Sequence, residues 1–184
     1  MSNLTDFFPS GGGGLTPKFE EFNASGTFTP TQALIDAGGY IEVFLVGGGS
    51  STTNAYSGGG GGEVIIKKMY LLSTTSCSIT IGARGNTNSS DPGGNSVFSG
   101  SSAGGQDITA AGGSNGTQNQ KMGASWGSKG EPGAFASAGS GVFGYGAGGS
   151  GFGSGVVWGK TNSGQGSDQY NFPGSGYCLI KWYE

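Results

Sequence analysis

The junction between a strand-like run and a block of glycine most constrains what this chain can fold into. Tyr40 to Val46 carries the β-branched and aromatic residues that suit a pleated, half-buried surface, and three glycines follow at once. A second block, Gly58 to Gly62, leads into the apolar run 64–66. Because glycine lets backbones approach closely, the pattern predicts a rigid β scaffold whose strands continue into glycine-rich surfaces.

The composition predicts a small hydrophobic core. Glycine contributes 43 of the 184 residues, far above its usual share of about 7 %, whereas hydrophobic residues make up only 33 %. A thin core favours oligomerisation, because association buries area that one copy lacks. The eight basic residues form no stripe and the formal net charge is -3, which gives nucleic-acid binding little support.

The ends of the chain and its cysteines bear on where the protein resides. No secretory apolar region follows Met1, and no run approaches the ~20 apolar residues of a membrane span. We therefore expect a protein without a signal of its own and without membrane insertion. Cys77 and Cys178 both lie in strand-like runs. Buried free thiols are the favoured interpretation, and a disulfide joining the two strands is the alternative.

The chain divides into an N-terminal segment, residues 1–24, and a glycine-rich β domain, residues 25–184. In the first segment four residues form an apolar cluster, Leu4, Phe7, Phe8 and Pro9. Gly11 to Gly14 then form a flexible joint. The cluster is interpreted as an anchor that docks on a partner or on a neighbouring copy. Folding back onto its own domain is the alternative.

Alternating apolar residues predict an all-β fold, a small β-sandwich-like domain with long ordered glycine-rich loops. Besides Tyr40 to Val46, strands are predicted at residues 16–22 (as an edge strand), 25–30, 63–72, 77–81, 97–98, 108–110 and 177–183. Residues 31–37 form either one helical turn or an extended loop. The strand 177–183 should return to the first sheet, so that the intervening loops are held at both ends.

Residues 113–175 form the predicted glycine-rich loop region. Large apolar side chains recur there, which predicts ordered loops, some of them extended helices of three residues per turn that pack through glycine. Five aromatic residues are candidates for binding a surface such as a sugar face: Trp126, Tyr145, Phe152, Trp158 and Tyr170. The alternative is that these rings fill space under the loops or between subunits.

Residues capable of catalysis are scarce. The absence of histidine excludes Ser-His-Asp and Cys-His catalysis and removes the commonest metal ligand. Two GxGxxG matches, at 139–144 and 146–151, lack the strand and helix that dinucleotide binding requires. Glu42 and Glu63 are expected to face solvent rather than to act as paired acids. We therefore expect no enzyme activity, no cofactor and no bound metal.

Six segments with glycine blocks or strand-like residues follow one another in order: 25–28, 40–49, 58–63, 78–83, 93–98 and 110–113. This ordered series resembles the glycine-rich domain of bacteriophage tail-fibre and other virion proteins. The resemblance covers roughly residues 25–115, and the later tract agrees in composition only. Arg84 stands where a second glycine is more typical.

The resemblance implies a tail-fibre or spike-type virion component that displays a host-surface-binding module. The N-terminal cluster would then be the virion anchor, contacting other virion proteins. The implied assembly is a homo-oligomer, in particular a trimer, made in the host cytoplasm and located in the virion, with a host glycan or outer-membrane receptor as partner. A capsid or collar decoration protein without a receptor-binding role is the alternative.

Overall fold

The computed structural model describes residues 14–51, 59–86, 91–114, 127–128, 164 and 173–184. In chain order the strands are β1 (Pro17–Phe22), β2 (Gly26–Phe28), β3 (Tyr40–Val46), β4 (Val64–Tyr70), β5 (Cys77–Thr80), β6 (Ser96–Ser99), β7 (Ile108–Ala110), β8 (Gly127–Ser128) and β9 (Tyr177–Tyr183). One α-helix, α1 (Gln32–Asp36), and one 3-10 helix (Ser101–Ala103) complete the described elements.

The strands form two antiparallel sheets. The five-stranded sheet has the order β1-β9-β3-β4-β8, and the four-stranded sheet has the order β2-β5-β6-β7. Buried side chains from both sheets form one hydrophobic cluster between them, so the prediction of an all-β, sandwich-like fold is confirmed. The expected helical turn at residues 31–37 is present as α1.

The core follows from the two-residue period of the strands. In β3, Ile41, Val43 and Leu45 are fully buried while the residues between them are partly exposed. In β5, Cys77 and Ile79 are buried and their neighbours face solvent, as the alternating sequence predicts. Both cysteines are buried and free, which confirms the favoured interpretation.

The C-terminal strand lies inside the five-stranded sheet. β9 pairs with β3 on one side, where Val43 is opposite Ile180, and with β1 on the other, where Phe22 is opposite Cys178. The predicted return of this strand is therefore confirmed, as is the position of β1 at a sheet edge. Residues 17–22, which the sequence assigned to the N-terminal segment, are paired in the sheet.

Aromatic and polar contacts fix β9 to the other elements. The ring of Trp182 meets that of Phe28 from the opposite sheet edge-to-face, with centroids 5.3 Å apart. Trp182 also donates from its indole nitrogen to the carboxylate of Glu184. That carboxylate accepts from the hydroxyl of Thr31, the residue that caps α1 by accepting from the Leu34 amide. The end of β9 thus contacts the start of the helix.

Candidate functional site

Six glycine-containing segments meet at one end of the sandwich. Each lies next to a strand or one residue beyond it: residues 47–51, 59–63, 82–86, 91–95, 111–114 and 173–176. Three segments extend from each sheet, and they hydrogen-bond to one another across the gap between the sheets. We call these segments, together with Gly164, the glycine bundle.

Residues 47–51 lie at the centre of the glycine bundle. The amide of Gly47 donates to the carbonyl of Glu63 at 2.9 Å, and the amide of Ser50 donates to Gly60 of the same segment at 2.9 Å. The amides of Gly48 and Ser51 donate in the same way to the segment 91–95.

The intervening amide, that of Gly49, donates to the carbonyl of Gly174 at 2.8 Å. Successive amides therefore point to three different neighbours, and the direction repeats every third residue. A period of three without internal hydrogen bonds is the geometry of an extended polyproline-type helix. The sequence predicted this conformation within residues 113–175, most of which lie outside the described residues; residues 47–51 show its hydrogen-bond pattern.

Carbonyl groups of the central segment extend the network to two further neighbours. The carbonyl of Gly48 accepts from the amide of Gly113 at 2.7 Å, and that of Gly49 accepts from the amide of Gly85 at 3.0 Å. The central segment therefore bonds to all five other segments of the glycine bundle. All five of its amides and the carbonyls of Gly48 and Gly49 are satisfied by other backbone groups.

Close backbone approach explains why these positions are glycine. A Cβ atom on Gly48 would overlap the carbonyl oxygen of Ala83, and one on Gly93 would overlap that of Gly48. Equivalent overlaps with backbone occur at Gly47, Gly62, Gly82, Gly112 and Gly113. Backbone cannot move aside as the end of a flexible side chain can, so substitution at these positions disturbs the bundle itself.

Three buried polar side chains form hydrogen bonds with backbone groups in or next to the glycine bundle. The hydroxyl of Ser96 donates to the carbonyl of Val46 at 2.5 Å and accepts from the amide of Gly82 at 2.9 Å, which joins the two sheets. The hydroxyl of Ser50 donates to Ser114 at 2.9 Å. The expectation that Glu63 faces solvent is wrong: the residue is 6 % exposed, and its carboxylate accepts from the amide of Ala111 at 2.8 Å.

The two thiols lie within the sandwich and not in the glycine bundle. Burial, with a smaller contribution from the nearby charge of Glu20, raises the pKa of Cys178 to about 12. Burial also raises the pKa of Cys77, although a hydrogen bond with Ser102 opposes the rise. Both sulfurs are therefore protonated at neutral pH, and a protonated thiol is a poor nucleophile.

A groove on the outer face of the five-stranded sheet was missed by the sequence reasoning. It encloses about 640 Å³ on the half of the sheet remote from the glycine bundle, between side chains of β1, β9, β3 and β4. Its lining includes polar side chains that alternate with core residues along the strands, such as Glu42 and Lys68, together with aromatic rings such as Phe19. No signal in the sequence could have found it, because only the register of these strands brings together residues that are scattered along the chain.

The candidate residues identified from the sequence lie outside the described residues. This holds for the anchor cluster, Leu4, Phe7, Phe8 and Pro9, and for the surface-binding candidates, Trp126, Tyr145, Phe152, Trp158 and Tyr170. Their proposed roles therefore stay predictions. The structure describes the residues that flank them, which border the stretches 1–13, 115–126, 129–163 and 165–172.

The described part of the chain contains neither a candidate membrane-spanning helix nor a candidate metal site. No helix there has the length and hydropathy needed to cross a bilayer. Among the same residues, no three side chains of His, Cys, Asp or Glu converge as ligands for a metal ion.

Comparison with known proteins gave one match. A family model described as a glycine-rich domain matches residues 23–179. The match extends well beyond residue 115, where the ordered series of glycine blocks ends, and it closes inside β9. No curated protein and no solved structure matched the chain.

Proposed function

We propose that this chain, which belongs to the glycine-rich domain family, is a structural protein of a bacteriophage virion of the tail-fibre or spike type. Its glycine-rich end would present a fixed surface to the host cell. The N-terminal cluster would attach it to other virion proteins. The active feature in this proposal is shape and not a reactive group.

The glycine bundle is the observation that carries the proposal. Its amides and carbonyls bond to each other at 2.7–3.3 Å across six segments, so loops emerging from it start from fixed positions. Ordered loops on a rigid scaffold bind without the entropic cost of ordering. The order of glycine blocks along the sequence resembles that of virion proteins, and this resemblance is the reason for proposing a role in a virion.

The proposed mechanism is multivalent attachment by a homo-oligomer, with the trimer as the expected state. Several weak sites on one particle raise the overall avidity, because each bound site holds the others at high local concentration. A thin core, with hydrophobic residues at 33 %, is consistent with stabilisation through subunit contacts.

Cell binding tests this proposal directly. The purified chain, labelled and displayed on a tetravalent support, should bind a subset of bacterial strains and should compete with adsorption of the parent phage. Tetravalent display is used because single sites are expected to be weak. Absence of binding to every strain that the phage adsorbs to would contradict a role in attachment.

Removal of residues 1–14 tests the anchor separately. Particles made with the truncated chain should lose it, while the free truncated protein should still bind cells. If the truncated protein is lost from particles and host range is unchanged, a decoration role without receptor binding is favoured instead.

A further inference from the structure

We propose that the groove on the outer face of the five-stranded sheet is a binding site for a neutral saccharide. The inference rests on the proposed attachment function and assigns a ligand class and a location to it. Its lining consists of strand residues and includes none of the five aromatic residues proposed from the sequence. We call it the sheet groove.

The sheet groove is a formed concavity of suitable size. Its volume of about 640 Å³ lies within the roughly 300–1,000 Å³ typical of small-ligand sites. Its walls are strand residues held in register by backbone pairing, so the arrangement of side chains is fixed before a ligand arrives. Pre-formed sites avoid part of the ordering cost of binding.

A row of charged side chains crosses the floor of the sheet groove. Lys181 of β9 is directly opposite Glu42 of β3, which is directly opposite Lys68 of β4. Such neighbours have Cβ atoms about 5 Å apart, close enough to form ion pairs. Nevertheless, none of these three side chains makes an ion pair or hydrogen bond to any described residue.

Exposed aromatic rings flank this charged row. Phe19 of β1 is opposite Lys181 and is 69 % exposed, and Tyr183 at the end of β9 is 55 % exposed. Tyr40 lies beyond them and meets the ring of Tyr70 edge-to-face, with centroids 5.4 Å apart. Clusters of exposed rings beside polar groups mark binding surfaces more often than scattered apolar residues do.

The balance of charges selects the ligand class. Lys68 and Lys181 are matched by Glu42 and Glu21, and the third lysine of the lining, Lys18, pairs with the carboxylate of Glu184 at 3.8 Å. A ligand of either net charge would therefore meet as much repulsion as attraction. A purely apolar ligand would remove the charges from water without giving them partners, which is unfavourable. Sugar hydroxyls both donate and accept, and the C–H faces of a sugar ring suit Phe19 and Tyr183.

Binding to isolated glycans tests the inference. The full-length wild-type protein is applied to an array of bacterial surface polysaccharides and their oligosaccharide fragments. The affinity of each positive fragment is then measured by titration calorimetry. We expect at least one neutral glycan to bind, with NMR shift changes at Lys68, Lys181 and Tyr183.

Two groove variants and one control locate the site. Lys68→Ala and Tyr183→Ala should each weaken glycan binding about tenfold or more, because each removes a direct contact. Leu72→Ala removes a side chain that is 70 % exposed and outside the groove, and it should leave affinity unchanged. All three positions are exposed, so the variants should fold, which a thermal melt checks.

The outcomes separate the inference from the function on which it rests. If the wild type binds cells but no glycan, or binds glycans that the groove variants bind equally well, the sheet groove is not the saccharide site and the attachment function stands. If the wild type binds neither cells nor glycans, the attachment function and the inference are both contradicted.

Discussion

At the scale of single residues, the main role of glycine here is to let neighbouring backbone segments pack closely, because it has no side chain. Positive φ angles occur among the described glycines at Gly38, Gly39, Gly100, Gly104, Gly105 and Gly164. Other bundle glycines adopt angles open to other residues, yet a Cβ atom would meet the backbone of another segment, as at Gly47, Gly48, Gly62, Gly82, Gly93, Gly112 and Gly113. Glycine is therefore required at these positions because neighbouring segments pack too closely for a side chain, and not because of its backbone angles.

Gly48→Ala should destabilise the protein strongly. The added Cβ would overlap the carbonyl oxygen of Ala83, and overpacking of this kind costs roughly 1–3 kcal/mol. Urea unfolding followed by tryptophan fluorescence measures the loss. Gly14→Ala is the matched control, because nothing lies within 4 Å of its new Cβ. Equal stability of the two variants would show that the segments are not closely packed.

The two thiols should resist modification in the folded protein. Burial raises the pKa of Cys178 to about 12 and also raises that of Cys77, so neither sulfur is an exposed thiolate at pH 8. A colorimetric thiol reagent should therefore detect none of the 2 cysteines before unfolding and both after it. Rapid labelling of either cysteine in native buffer would contradict the packing described around β5 and β9.

At the scale of elements, single polar side chains connect one sheet to the other. Ser96→Ala removes the hydroxyl that bridges the carbonyl of Val46 and the amide of Gly82. Leaving buried backbone groups without a partner costs roughly 1–3 kcal/mol. Ser78→Ala is the control, since Ser78 is exposed on β5. Denaturant titration should show a loss for Ser96→Ala only, and a loss of similar size in both would contradict a special role for Ser96.

The junction of β9 with α1 should respond to acid. Hydrogen bonds from Thr31 and Trp182, with the charge of Lys18, lower the pKa of Glu184. As the pH falls, the Glu184 carboxylate is therefore protonated in the unfolded chain before it is protonated in the folded one. The ionised carboxylate stabilises the folded state above about pH 4.5, and this stabilisation is lost as the pH falls through the lower pKa of the folded state.

Glu184→Gln separates this contribution from those of the other carboxylates. The variant retains an oxygen acceptor but has no charge to lose, so its stability should fall less steeply than that of the wild type between pH 5 and pH 3. Melting temperatures across this range provide the measurement. Identical pH profiles would show that Glu184 makes no such contribution.

Much of the sandwich was predictable at the element scale. The alternation in residues 40–46 and 77–81 identified β3 and β5, and the apolar strand after the long glycine tract indicated the return of β9. What could not be predicted was register, because pairing partners are distant in sequence. For that reason the charged row of the sheet groove and the burial of Glu63 beside Ala111 were both missed.

At the scale of the whole molecule, the sandwich and the glycine bundle form one hydrogen-bonded unit. Strands of both sheets continue into segments that bond to each other, so each sheet fixes where the segments of the other begin. The glycine segments at this end thus hold fixed positions relative to both sheets, and the proposed attachment function depends on that property.

Amide hydrogen exchange measures this rigidity most directly. In the intact protein, the amides of Gly48, Gly49, Gly62 and Gly113 should be protected as strongly as those of β3, because each donates to a carbonyl within the glycine bundle. Gly14, which is exposed, provides the unprotected reference. If the four bundle amides exchange as fast as Gly14, the glycine segments are not held in a fixed shape, and the account is wrong.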